Sequence, residues 1–202
     1  MRKVIVSMNV TLDGFMAGVN GTLDWHFPLW NDEMTRHIAD QLQTVDTILL
    51  GRMSYQVMAQ YWPYADCHSM LSPAQMDFAN RMNNYTKVLF SRTLRKGSWK
   101  NTHIIRSRIK EQILEMKQQP GRDMIIFGSG SIVQTFSRLG LVDEYRLWVH
   151  PVILQNGMPL FRDKRPGAQL QLLRTTAFST GVVVLYYKAV PQGAVNNLYI
   201  AG

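Results

Sequence analysis

The stretch Asp123–Phe161, DMIIFGSGSIVQTFSRLGLVDEYRLWVHPVILQNGMPLF, reads as strand, glycine turn, helix and strand, with the turn suited to a phosphate. Met124-Ile125-Ile126-Phe127 is an unbroken apolar run, the mark of a strand buried on both faces. Gly128-Ser129-Gly130-Ser131 follows at once. Glycine permits backbone angles that a side chain forbids, and serines cap helices, here one expected to begin near Ile132. A helix start directs unpaired N–H groups and a positive dipole end at the space above the strand's carboxyl end, where an anion is favoured. Two glycines at such a step also serve merely to turn tightly, so the motif by itself leaves both readings open. Ile132, Val133, Phe136 and Leu139 repeat at helical spacing, and Gly140 is placed to stop the helix.

Working outward, strand-like runs at Val4–Val10, Thr47–Leu50, Val88–Ser91, His103–Ile105 and Met124–Phe127 alternate with helical patterns at Asp32–Gln43, Arg52–Gln60, Pro73–Asn83 and Lys110–Gln118. Alternation of this kind favours parallel strands with helices on both faces. Glu144–Leu154, Leu170–Ser179 and Val182–Tyr187 follow one another without helices and are expected to pair antiparallel, the last two through a tight turn at Thr180-Gly181. The expectation is an α/β domain over residues 1–190, with a central mixed sheet of about eight strands and an antiparallel C-terminal edge. Residues 191–202 are expected to be a tail.

In an open sheet, ligands gather beyond the carboxyl ends of the strands. Gly51-Arg52-Met53-Ser54 joins the second such strand to a helix, so its amides, the Ser54 hydroxyl and the Arg52 guanidinium can address a phosphate. Ser91-Arg92 ends the third strand, and Gly128–Ser131 the fifth. A surface ion pair is the plainer role for Arg52.

These segments together resemble a known family. Gly128-Ser129-Gly130, Leu141-Val142-Asp143-Glu144, Pro151 and Gly157-Met158-Pro159-Leu160-Phe161 are similar to the reductase domain of riboflavin biosynthesis, the C-terminal domain of the bifunctional deaminase-reductase, within the dihydrofolate reductase-like superfamily. Val4–Val10, Thr11-Leu12-Asp13-Gly14 with Gly18 and Trp25, and Ile48–Arg52 resemble the corresponding N-terminal segments, so the likeness spans roughly residues 2–188. The resemblance implies a three-layer dihydrofolate reductase-like fold and NADPH as cofactor. It places the pyrophosphate at Phe127–Ile132 and the adenosine 2′-phosphate near Arg52 and Ser91-Arg92, with Gly51, Met53 and Ser54 beside them. The nicotinamide is then expected near Asn9, with Ala17-Gly18 in a loop over the ring; a simple surface turn is the alternative for that loop. The implied reaction is hydride transfer to a small heterocyclic or ribosyl substrate, most like 5-amino-6-(5-phosphoribosylamino)uracil reduction.

Folate reductases carry a carboxyl group two positions after the proline of a Trp-x-x-Pro segment. In Trp25-His26-Phe27-Pro28-Leu29-Trp30 an indole stands there. Asp32 and Glu33 are the candidate catalytic acids, or else ordinary acids of a first helical turn. The folate-contacting threonine corresponds to Val149, before His150, so folate turnover is expected to be poor. Ser7, Trp25, Trp30, Tyr55 and Met58 are the candidate substrate wall; the aromatic and Met positions after Arg52 also suit a core.

Composition fits these expectations. A chain of 202 residues, 46% hydrophobic, can bury one sizeable core. The single cysteine, Cys67, excludes an intrachain disulfide and suits a reducing, cytoplasmic compartment; no signal peptide or membrane span is expected. No metal site is expected, and the zinc deaminase pattern that often accompanies the reductase is not found in the sequence. The formal net charge of +8 is concentrated between Asp77 and Glu111, where nine Lys and Arg occur without an acid. A solvated face, a phosphate site at Arg92, or nucleic-acid binding all fit such a run. The alternatives to the riboflavin-type reductase are thus a divergent dihydrofolate reductase and a non-catalytic nucleotide- or nucleic-acid-binding protein. The partners expected are a small-molecule substrate and a second copy in a homodimer, with neither nucleic acid nor membrane.

Overall fold

The computed structural model of the chain describes residues 1–67, 71–162 and 169–190. The expected tail, residues 191–202, lies outside the described residues. An eight-stranded sheet runs through the molecule. Its strands, in chain order, are β1 (Val4–Thr11), β3 (Val45–Gly51), β4 (Thr86–Phe90), β5 (Thr102–Ile105), β6 (Asp123–Ile126), β7 (Glu144–His150), β9 (Leu170–Ala177) and β10 (Val183–Ala189). The spatial order is β5-β4-β3-β6-β1-β7-β10-β9. A separate two-stranded pair joins β2 (Phe15–Ala17) to β8 (Met158–Pro159).

The helices are α1 (Asp32–Gln43), α2 (Arg52–Tyr61), α3 (Pro73–Asn84), α4 (Ile109–Gln118) and α5 (Gly130–Arg138). Alternation along β1 sends Val4, Val6 and Val10 into a core with Ile113 of α4 and Val133 and Phe136 of α5. Ile5 points the other way, into a core with Leu42 of α1, Tyr55 of α2 and Met82 of α3. Three layers result: α4 and α5, the sheet, and α1 to α3. This is the dihydrofolate reductase-like α/β arrangement expected from the sequence.

Local chemistry sets the helix limits. Asn31 caps α1 by accepting from the Met34 amide, and Ser72 and Gln75 form a reciprocal capping box at α3. Gly140, at φ +65°, ends α5 with Leu141 N–H donating to Phe136 O and Gly140 N–H to Ser137 O, the paired bonds that close a helix on a left-handed residue. The helix itself starts at Gly130, two residues ahead of the expected Ile132.

Strand β7 has neighbours of both senses. It pairs parallel with β1 and antiparallel with β10, and β10 lies between it and the edge strand β9. Within this sheet β7 and β9 both pair antiparallel with β10, as expected of the C-terminal strands, in the spatial order β7-β10-β9. Strand β7 ends at His150 rather than Leu154: Pro151 has no N–H for the ladder, and Val152 N–H turns back to His150 O at 2.8 Å. Among the described residues, no helix is long and apolar enough to cross a membrane.

Candidate functional site

Three strand-to-helix or strand-to-loop turns meet at the carboxyl ends of β3, β4 and β6. The Gly51 amide donates to Gly128 O at 3.2 Å, tying the turn after β3 to the turn after β6. A Cβ on Gly51 would lie 2.1 Å from Ser129 Oγ, and one on Gly128 would lie 2.7 Å from Ser54 Oγ. Gly128 also takes φ +118° and precedes a cis peptide to Ser129. Neither position has room for a side chain, so two backbones and two serines share one small space. Arg52, on the first turn of α2, donates to Thr93 Oγ1 at 3.4 Å and so reaches the turn after β4. There Ser91 Oγ accepts from the Thr93 and Leu94 amides, fixing a loop that presents the exposed Arg92.

The serines do not cap α5 as the sequence reading expected. Ser129 stands at the N-cap position without a side-chain cap bond; its hydroxyl pairs with Ser131 Oγ at 2.8 Å. Gly51, at the N-cap of α2, has no side chain to offer. At the start of α5, Ile132 N–H already donates to Ser129 O at 2.9 Å, which leaves the Gly130 and Ser131 amides, beside the first amides of α2, for another acceptor, with Ser54, Ser129 and Ser131 adjoining. Ile132 is buried beneath the turn, Phe127 packs against Phe78, and Met53 is exposed on α2. Met16, on β2, covers the turn from the opposite side: a Cβ on Gly130 would fall 2.1 Å from its Sδ. The shape, donors and cations at this rim fit a dinucleotide carrying phosphates.

Ala17 and Gly18 are buried, held by the β2–β8 pair and by Gly18 N–H donating to Thr22 O at 2.9 Å. The exposed part of this loop is its tip, Val19–Asp24.

On the α1 side of the sheet, Ser7, Asn9, Trp148 and His150 form a polar column along β1 and β7, where Asn9 stands beside Trp148 and Thr11 beside His150. Ser7 Oγ, 4% exposed, accepts from Trp148 Nε1 at 3.1 Å. Trp148 stacks on Phe178 at 5.5 Å and lies 5.3 Å from Trp30, whose Nε1 donates to Thr35 Oγ1. Next along, His150 Nε2 faces Asn9 Oδ1 at 3.1 Å, and Trp25 stands edge-on to the imidazole at 5.2 Å. His150 is completely buried; desolvation first, and the neighbouring His26 second, push its pKa down to about 4. It is uncharged at neutral pH. Burial lowers the His26 pKa too.

Several expected site residues stand elsewhere. Tyr55, taken for a substrate wall, is 1% exposed in the α1–α3 core, with its hydroxyl accepting from the Trp99 amide; an aromatic one turn into an amphipathic helix is drawn to the core. Met58 packs half-buried on the same core. Asp32 and Glu33 are exposed acids of the first turn of α1, and Glu33 accepts from Ser179 of the β9–β10 connection. That is helix-end electrostatics and not a buried acid. The basic run is likewise partly internal: Lys87 is fully buried and donates to the Met82 and Asn83 carbonyls, Arg81 pairs with Asp77, and Arg106 donates to Leu94 O and Arg95 O. A cleft of about 380 Å³ near Asn83, Trp99 and Lys100 lies over this region, away from the rim.

Sequence reasoning missed the His26–His150–Trp25 group and Thr93. The apolar alternation of β7 hid His150 among core positions, although a histidine directly before Pro151 marks a strand end. No spacing signal links residues 25 and 150.

Residues 2–184 match the RibD C-terminal domain family. The Bacillus subtilis (strain 168) uncharacterized protein YyaP is 37% identical over 187 residues, covering 92% of this chain and 94% of that protein. A putative riboflavin biosynthesis protein from Shewanella sp. PV-4 superposes with a TM-score of 0.74 at 17% identity, over 94% of this chain and 99% of the other. Enterococcus faecalis dihydrofolate reductase, in complex with NADP(H), gives a TM-score of 0.61 at 13% identity, covering 94% and 97%.

Proposed function

The chain belongs to the RibD C-terminal domain family, and from that premise we propose that it is an NADPH-dependent reductase acting on a small heterocyclic or ribosyl substrate. The observation that carries the reading is the junction of the β3, β4 and β6 turns, where Gly51 bonds Gly128 and Arg52 reaches Thr93. NADPH bound there supplies a hydride. The open amides of α2 and α5, with Ser54, Ser129 and Ser131, hold the pyrophosphate. Arg52 and Arg92 hold the 2′-phosphate, the feature that favours NADPH over NADH, since a guanidinium deprived of that group loses a charge-assisted pair.

Asn9, with Ala17 and Gly18, would hold the nicotinamide end of a cofactor bound at this rim. The β2–β8 pair anchors that loop and limits water at the reacting carbon. Trp25 and Trp30 offer flat, largely apolar walls on the α1 side. The chain's residues thus bind, align and dehydrate, and the cofactor carries the redox chemistry. The acid expected after the Trp-x-x-Pro segment is an indole bonded to Thr35, which argues against a folate substrate.

A screen of heterocyclic imines, lactams, ribosyl-amines and dihydrofolate for NADPH consumption tests the proposal. Turnover of at least one non-folate compound, with dihydrofolate slow, is the expected result. Failure to bind NADPH at millimolar concentration would remove it.

A further inference from the structure

Among the described residues, buried polar side-chain atoms without a hydrogen-bond partner are few, and most of them stand together. Trp25 Nε1, His26 Nδ1 and His150 Nδ1 are all shut off from solvent and unpaired. Their rings form one triangle, with centroids 5.2 Å apart for Trp25 and His150, 5.3 Å for Trp25 and His26, and 5.9 Å for His26 and His150. Buried polar atoms are almost always satisfied, because each orphan carries its full desolvation penalty. A cluster of them beside a reductase's expected nicotinamide position points to a ligand.

The donor pattern says which kind. Asn9 Oδ1 faces His150 Nε2, so that nitrogen carries the proton and Nδ1 presents a lone pair. Trp25 Nε1 can only donate. No carboxylate is bonded to either ring, and both are neutral. We propose that His150 Nδ1 and Trp25 Nε1, walled by His26, form an uncharged acceptor–donor subsite for a neutral cyclic-amide edge of the substrate, taking the N–H on His150 and the C=O on Trp25. Entry requires the turn around Trp25–Phe27 to lift from His150. Cations and carboxylates are excluded: a cation meets no counter-charge there, and a carboxylate brings no donor for His150. Calling this ligand the substrate rests on the reductase reading. The subsite itself rests on the orphaned nitrogens.

The test uses the full chain without cofactor and three probes of similar size, followed by NMR: 2-pyridone, N-methyl-2-pyridone and benzamidinium. The expected order is 2-pyridone tighter than its N-methyl derivative by roughly tenfold, the loss of one hydrogen bond to a buried acceptor, with benzamidinium not bound. His150→Phe should erase the difference between the pyridones, whereas Trp25→Phe should weaken both. Should His150→Phe fail to fold, the imidazole ¹⁵N signal of His150 in the unaltered chain must move on adding 2-pyridone and stay put with the N-methyl compound. Equal affinity for the two pyridones, no binding of either, or discrimination that survives in His150→Phe overturns the proposal. NADPH binding measured alongside separates the two claims: pyridone discrimination without NADPH binding leaves the subsite and removes the reductase, and the reverse result removes the subsite alone.

Discussion

The rim formed by the β3, β4 and β6 turns and the α1 side of the sheet are neighbours built on opposite principles. At the rim, the groups proposed to bind are mainly backbone amides, and the packing is so close that Gly51 and Gly128 have no space for a Cβ. On the α1 side the groups that stand out are side chains, Trp25, Trp30, Trp148 and His150, set against one another with ring contacts between 5.2 and 5.5 Å and hydrogen bonds to Ser7, Asn9 and Thr35. A site made of backbone is generic for the phosphates it holds. One made of side chains can be rebuilt for a new substrate without disturbing the fold. Binding of the cofactor and choice of substrate should therefore respond to different mutations.

The sharpest challenge to that division is Gly128→Val. Its φ of +118° is forbidden to valine and its Cβ would strike Ser54 Oγ, so a penalty of about 3 kcal/mol, roughly 100-fold in affinity, is expected for NADPH binding by titration. Pyridone binding in the same variant should be intact. Undiminished NADPH affinity in a folded protein would merge or misplace the two regions.

Next in size is a pH effect confined to the α1 side. Folded His150 titrates near 4 against an ordinary value of 6.5, so between those values the unfolded chain takes up a proton that the folded chain refuses. Stability should be full above pH 6.5 and fall as the pH drops toward 4, by up to about 3 kcal/mol from this group. His26 and His37, both lowered chiefly by burial, add in the same direction. Denaturant melts at pH 7, 5.5 and 4 measure this, and His150→Gln should flatten the dependence. An unchanged slope would show that His150 is not buried neutral.

Arg52→Ala is expected to weaken NADPH by about 10-fold to 100-fold, the worth of a charge-assisted bond, and to leave NADH nearly unchanged. Equal losses for the two cofactors would take the 2′-phosphate away from Arg52. The smallest effect is that of Trp30→Phe, which deletes the bond to Thr35 and should cost about 1 kcal/mol in a melt, without altering cofactor affinity.

The same contrast explains what the sequence could and could not reveal. Strands β3, β4 and β6, each ending within one residue of the expected Leu50, Ser91 and Phe127, were legible because glycines, caps and apolar runs are local signals with fixed spacing. Helix α1 begins and ends at the expected Asp32 and Gln43 for the same reason. The parallel pairing of β7 was not legible, since the absence of a helix after it says nothing about the partner on its other side. Strands β2 and β8, three and two residues long, carry no periodicity. Tyr55 misled because a helix's apolar stripe looks alike whether it faces a ligand or a core. His26 and His150 escaped because their meeting is made by the sheet, across 124 positions of chain, and by no motif.

The central claim is that the three turns are one dinucleotide site, and hydrogen exchange with and without saturating NADPH tests it most directly. Amides of Gly51–Ser54, Ser91–Thr93 and Gly128–Ile132 should slow together, at one NADPH concentration. Slowing at a single turn, or only around the cleft near Asn83 and Trp99, would contradict it.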